Sequence, residues 1–239
     1  MYRYETHCHT LPVSACGKAT VEDTVRFYKH MGYDGIFITN HFLDGNICPE
    51  IRNSPYEEQI NFYFGDFEEG IRLGRKVGLK VFPGVELSYK GTDFLIYGLD
   101  KQWYLSHPEI MNMKKSEELP FMKQEGALVI QAHPYREEYY IDHIRLFPRC
   151  VHGTEIINSS QADYMNQAAT VYAKQYNLFE TCGSDNHWGS KVFDTLRRKG
   201  LKAEIAGMES EIPLENATDY KKLLLSGKMK PFQIGEDAE

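Results

Sequence analysis

The sequence predicts an α/β fold built mainly on a parallel sheet, because short apolar segments alternate with longer amphipathic segments along most of the chain. The apolar segments have the length of strands and cover residues 35–39, 79–87, 93–99, 127–132, 154–157 and 178–182. The amphipathic segments predict helices over residues 21–31, 56–77, 108–125 and 162–176. Gly32 and Gly78 directly follow the first two, as is typical of helix ends. A closed barrel and an open doubly wound sheet both fit this alternation.

The length of 239 residues predicts a single domain over residues 1–239, with a frayed acidic tail at about 235–239. Neither G-x-G-x-x-G nor G-x-x-x-x-G-K-[ST] follows a predicted strand, so a nucleotide-binding open sheet loses its usual support. No apolar stretch approaches the roughly 20 residues of a membrane-spanning helix. The composition, 42% hydrophobic and 26% charged, therefore predicts an ordinary soluble protein.

Net charge and cysteine content restrict the binding partners and the cellular compartment that we expect. The net charge is −7 and basic residues do not cluster, which argues against binding of extended nucleic acid or of anionic membranes. A small anionic substrate is compatible with this charge if bound cations reverse the local field. The five cysteines are scattered without a C-x-x-C pair and the N-terminus lacks a secretion signal, so we expect a cytoplasmic protein without a disulfide framework. The pattern specifies no oligomeric state.

Histidines and carboxylates recur where predicted strands end. His7 and His9 share one face of the first extended segment, because alternate side chains of a strand point the same way. In a parallel barrel, residues just past the carboxyl ends of the strands converge on one rim, where active sites lie. The side chains that would meet there are His7, His9, His41, Glu86, His133, Asp185 and His187.

This residue set is typical of a metal centre. Imidazoles and carboxylates without thiolates suit zinc, manganese or iron, and a shared carboxylate such as Glu86 can bridge two ions about 3.5–4 Å apart. A single histidine or carboxylate more often serves as a cap, a hydrogen-bonding group or an ion-pair partner. That ordinary interpretation applies to the histidines outside the strand ends, which are His30, His107, His143 and His152. The joint occurrence at the strand ends instead predicts two or three divalent ions.

Five short motifs occur in order along the chain, each at the end of a predicted strand. They are HCHT at residues 7–10, ITNH at 38–41, GVEL at 84–87, AHP at 132–134 and GSDNH at 183–187. Together they resemble the motifs of the polymerase-and-histidinol-phosphatase (PHP) superfamily of metal-dependent phosphoesterases, and the resemblance covers most of the chain. One such motif is weak evidence, whereas five in the right order are specific.

The resemblance implies a distorted (β/α)7 TIM-like barrel with a trinuclear centre and a histidinol-phosphatase-like, stand-alone enzyme. Carried over residue by residue, it assigns two of the side chains, His41 and His187, to the third ion. The second ion shares Glu86 and adds His133. The first ion takes His7, His9, Glu86 and Asp185.

Three positions depart from the family pattern. An acidic residue or histidine usually follows the first motif as a ligand of the third ion, but here the segment contains Ala15 and Cys16, so that ligand is missing or replaced by Cys16. Asp93 stands where relatives often have a histidine for the second ion, and a carboxylate can do the same work. Asn40 replaces the common aspartate of the second motif, which changes the support of His41.

The leading functional hypothesis is hydrolysis of a small phosphomonoester by a hydroxide that bridges two ions, with histidinol phosphate or a nucleotide as candidate substrates. Arg136 either clamps a phosphate or pairs at the surface with Glu137 or Glu138. Asp185 and His187 also have a candidate catalytic role in protonating the leaving oxygen.

Two other functions fit the same residues. An amidohydrolase-like metal hydrolase uses similar barrels and ligands, although it usually has a bridging modified lysine or glutamate and lacks the D-x-H pair. A degenerate domain that keeps metal for stability or partner binding is the third possibility, favoured only by the departures at Ala15 and Asn40.

Overall fold

The computed structural model describes residues 1–236 of the chain, with a sheet surrounded by helices. The described residues form nine strands, β1 (Tyr2–Cys8), β2 (Gly35–Ile38), β3 (Lys80–Tyr89), β4 (Thr92–Tyr97), β5 (Leu128–Ala132), β6 (Gly153–Asn158), β7 (Phe179–Gly183), β8 (Glu204–Ser210) and β9 (Lys230–Gly235). The helices of this part of the chain are α1 (Val21–His30), α2 (Tyr56–Val77), α3 (Lys101–Ser106), α4 (Lys115–Gln124), α5 (Asp163–Tyr176), α6 (Val192–Arg198) and α7 (Ala217–Leu225). Of the predicted frayed tail, Gly235 ends β9 and residues 237–239 lie outside the described residues.

The sheet curls into a nearly closed barrel, as the family resemblance implies. Its strand order is β7-β6-β5-β4-β3-β2-β1-β8-β9. The carboxyl ends of β1 and β7 meet, because His9 N donates to Asn186 O at 3.0 Å and Thr6 Oγ1 donates to Cys182 O at 2.7 Å. Below this contact, β8 lies between β1 and the end of β7, and Ala206 N of β8 donates to Ser184 Oγ at 3.0 Å. The open doubly wound sheet is thereby excluded.

The prediction of a mainly parallel sheet is wrong for the middle of the barrel and for β8, which is antiparallel to both β1 and β9. β3 and β4 form an antiparallel hairpin, and β4 is antiparallel to β5 as well. The turn between β3 and β4 consists of Lys90 and Gly91, both with positive φ, at 51° and 81°. A two-residue link of this kind joins antiparallel neighbours, whereas a parallel crossover needs a dozen residues or more. The spacing between the two apolar segments therefore contained the signal.

Three of the four predicted helices are present at or near their predicted bounds. α2 has the predicted bounds, and α1 and α5 differ from theirs by one residue. The predicted helix over 108–125 is instead a 3-10 turn, Pro108–Asn112, followed by α4. The break falls at Met113 and Lys114, whose backbones are extended, with ψ of 149° and 145°. The elements after Gly183 were not predicted.

The lower barrel is filled by aromatic side chains. Phe37, Tyr97 and Tyr220 pack with ring centroids 5.0–5.2 Å apart, and Tyr220 comes from α7, which closes this end of the barrel. Tyr97 is buried, and its hydroxyl donates to Thr6 O at 2.7 Å. Cys8 points outward and packs among α1 residues such as Val25, as strand alternation predicts. Aromatic side chains therefore fill the interior of the barrel at this end.

Candidate metal centre

The rim at the carboxyl ends of the parallel strands brings together all eight side chains predicted to bind metal. Asp93 reaches this rim because β4 runs antiparallel, so the start of that strand pairs with Ala132 at the end of β5. His133 and Asp185 have positive φ, 23° and 51°, a backbone conformation that is uncommon for such residues and is found at functional sites. The other members of the set come from the ends of β1, β2, β3 and β7, and they are His7, His9, His41, Glu86 and His187.

Glu86 lies at the centre of this cluster and is fully buried. Its Oε1 is 3.1 Å from His7 Nε2 and 3.4 Å from His133 Nε2. Its Oε2 is 2.7 Å from His41 Nδ1 and 3.4 Å from His9 Nε2. One carboxylate thus contacts four imidazoles, an arrangement that allows it to bridge two cations.

Asp185 completes the inner part of the cluster from the opposite side. Its Oδ1 lies 3.2 Å from His9 Nε2, 3.4 Å from His7 Nε2 and 3.3 Å from His187 Nδ1. Its Oδ2 is 3.9 Å from His133 Nε2. Asp185 and Glu86 therefore enclose the two histidines of β1 between them.

Glu155 fixes the orientation of His7. Its Oε1 is 2.9 Å from His7 Nδ1, and its Oε2 accepts hydrogen bonds from His133 N and Asn158 Nδ2, both at 3.0 Å. A carboxylate can only accept, so His7 Nδ1 carries a hydrogen and the ring turns Nε2 toward the cluster. Sequence reasoning missed Glu155, although a fully buried acidic residue inside an apolar strand was the available signal.

Ser14 fixes His9 in the same way. The Ser14 hydroxyl donates to Asn40 Oδ1 at 2.9 Å and accepts from His41 N at 3.0 Å. The single hydrogen of the Ser14 hydroxyl is used in the bond to Asn40. His9 Nδ1 is therefore the donor in the 3.0 Å hydrogen bond to Ser14 Oγ. His9 Nε2 then also points toward the cluster. Ser14 was not identified from the sequence.

The consequence is that four possible metal-binding side chains meet closely. His7 Nε2 and His9 Nε2 are 3.2 Å apart, and oxygens of Glu86 and Asp185 lie 3.1–3.4 Å from both. Such atoms repel one another unless a proton or a metal cation lies between them. The neutral imidazole and carboxylate donors are those that divalent transition metals prefer.

Several other buried atoms of the cluster lack hydrogen-bond partners, and bound cations would satisfy them as well. Both carboxylate oxygens of Glu86 have no hydrogen-bond partner, and neither does His133 Nε2. Leaving a buried polar atom unpaired costs about 1–3 kcal/mol, and more for a charged one. The ligand atoms fall into three groups in which all lie within 4.8 Å of one another, formed by His7, His9 and Asp185, by His7, Glu86 and His133, and by His9, His41 and His187. These residues fit a cluster of divalent ions.

The electrostatics of the cluster agree with this interpretation. Burial alone would raise the pKa of Glu86, but the imidazoles of His41, His7 and His9 hold it well below its usual range. Burial and the neighbouring His187 and His41 lower the pKa of His9, which keeps that imidazole neutral. Burial opposes protonation of His7, yet nearby carboxylates, Glu155 first among them, raise its pKa well above normal. The site therefore attracts positive charge.

Asn40 supports the cluster through a second buried acid. Its Oδ1 accepts from Thr10 N at 2.7 Å and from Ser14 Oγ, while its Nδ2 donates to Asp66 Oδ2 at 2.9 Å. Burial raises the pKa of Asp66 to about 6. The departure from the family aspartate at Asn40 is therefore matched by an acceptor on α2, and His41 keeps its hydrogen bond to Ser14. Asp66 was also not identified from the sequence.

Arg136 faces the cluster and does not lie on the surface beside its acidic neighbours. Its Nη2 is 2.9 Å from Asp93 Oδ2, and its side chain is 16% exposed. Its Nε is buried without a hydrogen-bond partner. The surface pairing with Glu137 or Glu138 is thus replaced by an ion pair that leaves part of the guanidinium free to donate.

Cys16 lies at the mouth of the site, where the family pattern has an acidic residue or a histidine. Its Sγ is 3.1 Å from His187 Nε2. Burial would raise the pKa of this thiol, but hydrogen bonds with His187 and His41 lower it to about 6.

The remaining histidines take ordinary roles. His107 stacks on Trp103 with ring centroids 4.3 Å apart, and His152 Nδ1 accepts from Val129 N at 3.1 Å. His30 and His143 are exposed. Over residues 1–236, no helix is both long and apolar enough to cross a membrane.

Comparison with known proteins bears on the fold. No family model matches the sequence, and no curated protein matches it. Among solved structures, the chain is similar to a two-domain protein from Bacteroides vulgatus that contains a predicted PHP-like metal-dependent phosphoesterase, with 16% identity and a TM-score of 0.65. That alignment covers 97% of this chain and 64% of the other, so this chain spans less than two thirds of the two-domain protein.

Two further structures are similar at lower scores. One is a protein from Bifidobacterium adolescentis provisionally described as a metal-dependent phosphoesterase, with 13% identity, a TM-score of 0.54 and coverage of 82% of this chain and 94% of the other. The other is an amidohydrolase from Chromobacterium violaceum with bound sulfate, with 12% identity, a TM-score of 0.50 and coverage of 77% and 87%. At such identities the likeness shows the fold. The chain has the barrel fold of PHP-like proteins, as its motifs predict, and its His, Asp and Glu cluster fits a metal-dependent hydrolase.

Replacement of Glu155 by glutamine tests how the cluster is supported. The neutral amide would no longer hold His7 as a hydrogen-bond donor with the same strength, so we expect the affinity for zinc to fall about 10- to 100-fold while the fold is retained. Competition with a chromophoric chelator measures this affinity. Glu180→Gln on the neighbouring strand is the matched control and should bind zinc as the wild type does. An affinity of Glu155→Gln within twofold of wild type would contradict the role of Glu155.

Proposed function

We propose that this protein is a metal-dependent phosphoesterase that hydrolyses small phosphomonoesters. The observation that carries the proposal is the meeting of His7 Nε2, His9 Nε2 and the oxygens of Glu86 and Asp185, with neighbouring atoms within 3.1–3.4 Å. Next to this cluster lies a guanidinium with a free donor, Arg136, which suits an anionic substrate. The PHP-like fold is consistent with the proposal.

The residues would hold zinc, manganese or iron in the sets that the motifs imply. His7, His9, Glu86 and Asp185 would hold the first ion. Glu86 and His133 would hold the second, and Asp93 lies 3.8 Å from His133 Nε2, near enough to join them. When bound, divalent ions supply positive charge for the phosphoryl oxygens and make water nucleophilic at neutral pH.

The side chains themselves orient the substrate and keep water out. His7 and His9 are fully buried, whereas the side chains of His187 and His41 are 13% and 11% exposed and form the mouth of the site. A phosphate entering there meets Arg136, whose pKa is raised by Asp93 against the effect of burial, so the guanidinium stays charged. Asp185 and His187 stay candidates for protonating the leaving oxygen, since both border this mouth.

A direct test uses an aryl phosphate. Protein reconstituted with zinc or manganese should release the phenolate from p-nitrophenyl phosphate and lose that activity with a chelator, and added metal should restore it. A panel that includes histidinol phosphate, nucleotides and other small phosphomonoesters then ranks the substrates by kcat/KM. Metal-loaded, folded protein that releases no phosphate from any member of the panel would contradict the proposal.

Arg136→Lys tests the phosphate clamp. A lysine keeps the charge and can still pair with Asp93, but it loses the planar fork that contacts two phosphate oxygens. We therefore expect kcat/KM to fall about 10- to 100-fold, with metal content unchanged. Steady-state kinetics with metal analysis measures both. Arg145→Lys on the same loop is the control, and equal kinetics for wild type and Arg136→Lys would refute the clamp.

The similarity to the amidohydrolase from Chromobacterium violaceum supports a second candidate, hydrolysis of a C–N bond. Metal-dependent hydrolysis of amide or cyclic amide substrates without phosphate release would favour it. A folded protein that binds metal and is inert toward both substrate classes would favour a degenerate, non-catalytic domain.

A further inference from the structure

Two exposed tyrosines lie in the segment that follows the phosphate clamp. Tyr139 is 97% exposed and Tyr140 is 56% exposed. Their ring centroids are 5.2 Å apart, and the ring planes are nearly perpendicular, at 89°. Exposing apolar surface to water is unfavourable, so two adjacent aromatic rings left open beside a site indicate a binding surface.

The segment that carries the two tyrosines is held at both ends on the rim side of the barrel. At one end, the hydroxyl of Tyr164 on α5 donates to Glu137 Oε2 at 2.9 Å. At the other, Ile141 lies against the turn between β3 and β4, where a Cβ on Gly91 would be 2.6 Å from Ile141 Cγ1. α5 begins after the carboxyl end of β6, and the turn follows the carboxyl end of β3, so both anchors belong to the rim. The two tyrosines lie between these anchors.

Tyr140 is the less exposed of the pair and faces the metal centre. Burial raises the pKa of its hydroxyl, and the guanidinium of Arg136 acts against that effect. The carboxylates of Asp93 and Asp185 act on the same hydroxyl and raise its pKa further. Because Arg136 Nη2 is 2.9 Å from Asp93 Oδ2, the ring of Tyr140 lies beside the ion pair that borders the site.

The direction of a bound ester connects the clamp to the rings. The phosphoryl group must approach the buried cluster, so the alcohol part of the ester points outward. Tyr139 is only three positions after Arg136 in the sequence, so the outward part of an ester held at the clamp is close to both rings. Aromatic faces and edges bind planar rings by offset or edge-on stacking, and this stacking tolerates different ring types.

We propose that Tyr139 and Tyr140 bind a planar aromatic ring in the alcohol part of the substrate, so that the enzyme selects phosphomonoesters of ring-bearing alcohols over aliphatic and sugar phosphates. The inference rests on the proposed function, because it takes the ester phosphate to lie at the cluster. The two tyrosines contact the substrate away from the reacting atoms and determine specificity. A nucleobase and an imidazole both supply the required flat ring.

Phosphonates separate binding from hydrolysis, because a methylene group replaces the ester oxygen and the carbon–phosphorus bond is not hydrolysed. Calorimetry with zinc-loaded protein compares the phosphonate analogue of adenosine 5′-monophosphate with that of ribose 5-phosphate. A second pair consists of the analogues of histidinol phosphate and of 2-aminopropyl phosphate. The members of each pair differ by the ring. We expect the ring-bearing member of at least one pair to bind at least about 10-fold more tightly.

Variants of the two tyrosines assign this preference. Tyr140→Ala, and the double variant Tyr139→Ala with Tyr140→Ala, should reduce it to less than about threefold, because the stacking surface is removed. Tyr140→Phe keeps the ring without the hydroxyl and should keep the preference. Tyr176→Ala, which removes an exposed tyrosine at the opposite end of α5, is the matched control and should behave as the wild type.

The outcomes separate ring binding from hydrolysis. Equal affinities within both pairs, absence of phosphonate binding, or a preference that persists in the double variant would overturn the ring site. Hydrolysis of the corresponding esters together with any of these results would leave the phosphoesterase proposal standing. A ring preference among the phosphonates without phosphate release from any ester would support the ring site and contradict the proposed function. The pair with the larger preference distinguishes a nucleobase from an imidazole.

Discussion

Replacing Glu86 by glutamine is expected to reduce bound metal to at most one ion per chain and to lower kcat/KM for an aryl phosphate at least about 10³-fold. The reason is the position of this carboxylate, which contacts His7, His9, His41 and His133 at 2.7–3.4 Å. A neutral amide cannot bridge two cations. It also removes the negative charge that offsets them.

Metal analysis and steady-state kinetics, with circular dichroism to verify folding, measure the effect of Glu86→Gln. Glu58→Gln, an exposed position on α2, is the matched control and should behave as the wild type. A folded Glu86→Gln protein that keeps two ions or more would show that Glu86 is not the shared ligand. Full activity in that variant would place the chemistry elsewhere.

Replacing Asn40 by aspartate is expected to lower the free energy of unfolding of the metal-free protein by about 2–4 kcal/mol at pH 8. Nδ2 of Asn40 donates to Asp66 Oδ2 at 2.9 Å, so the variant would place two buried carboxylates in contact. An aspartate at position 40, which is usual in the family, would be unfavourable here because Asp66 of α2 already places a carboxylate beside that position. The double variant Asn40→Asp with Asp66→Asn should recover at least half of the loss, since the amide introduced on α2 can then donate to the new carboxylate.

The stability cost of Asn40→Asp should depend on pH. Burial already raises the pKa of Asp66 to about 6, and a second carboxylate raises the pKa of the pair further. A carboxyl whose pKa is raised by folding contributes stability at low pH and loses it as pH rises through that pKa. The cost of Asn40→Asp should therefore be smaller at pH 5 than at pH 8. Urea unfolding at the two pH values measures it, and an equal cost in the single and double variants would contradict the pairing with Asp66.

The sequence predicts the site better than the sheet that carries it. His7 and His9 alternate on one strand, and His41, Glu86, His133 and Asp185 each fall at or near a strand end, so the barrel rim follows from local patterns. These patterns do not show which strand neighbours which. The antiparallel β4 was missed although the short link between β3 and β4 indicated a hairpin, and Asp93 could be placed only by resemblance.

The supporting residues lay beyond local patterns as well. Ser14, Asp66 and Glu155 act on side chains 5, 26 and 148 positions away in the sequence, and their roles appear only when the strands and α2 are assembled. An acidic residue inside the apolar segment 154–157 was the one local sign, because a buried charge needs a partner. Arg136 illustrates the same limit, since its partner Asp93 comes from another strand and not from the adjacent glutamates.

The central claim is that the buried imidazoles and carboxylates of the rim hold a cluster of divalent cations. The most direct measurement is the metal content of the folded protein by elemental mass spectrometry. The protein is first loaded with zinc or manganese and then dialysed exhaustively against metal-free buffer. The account predicts two or three ions per chain. Fewer than one ion per chain in folded protein would contradict it.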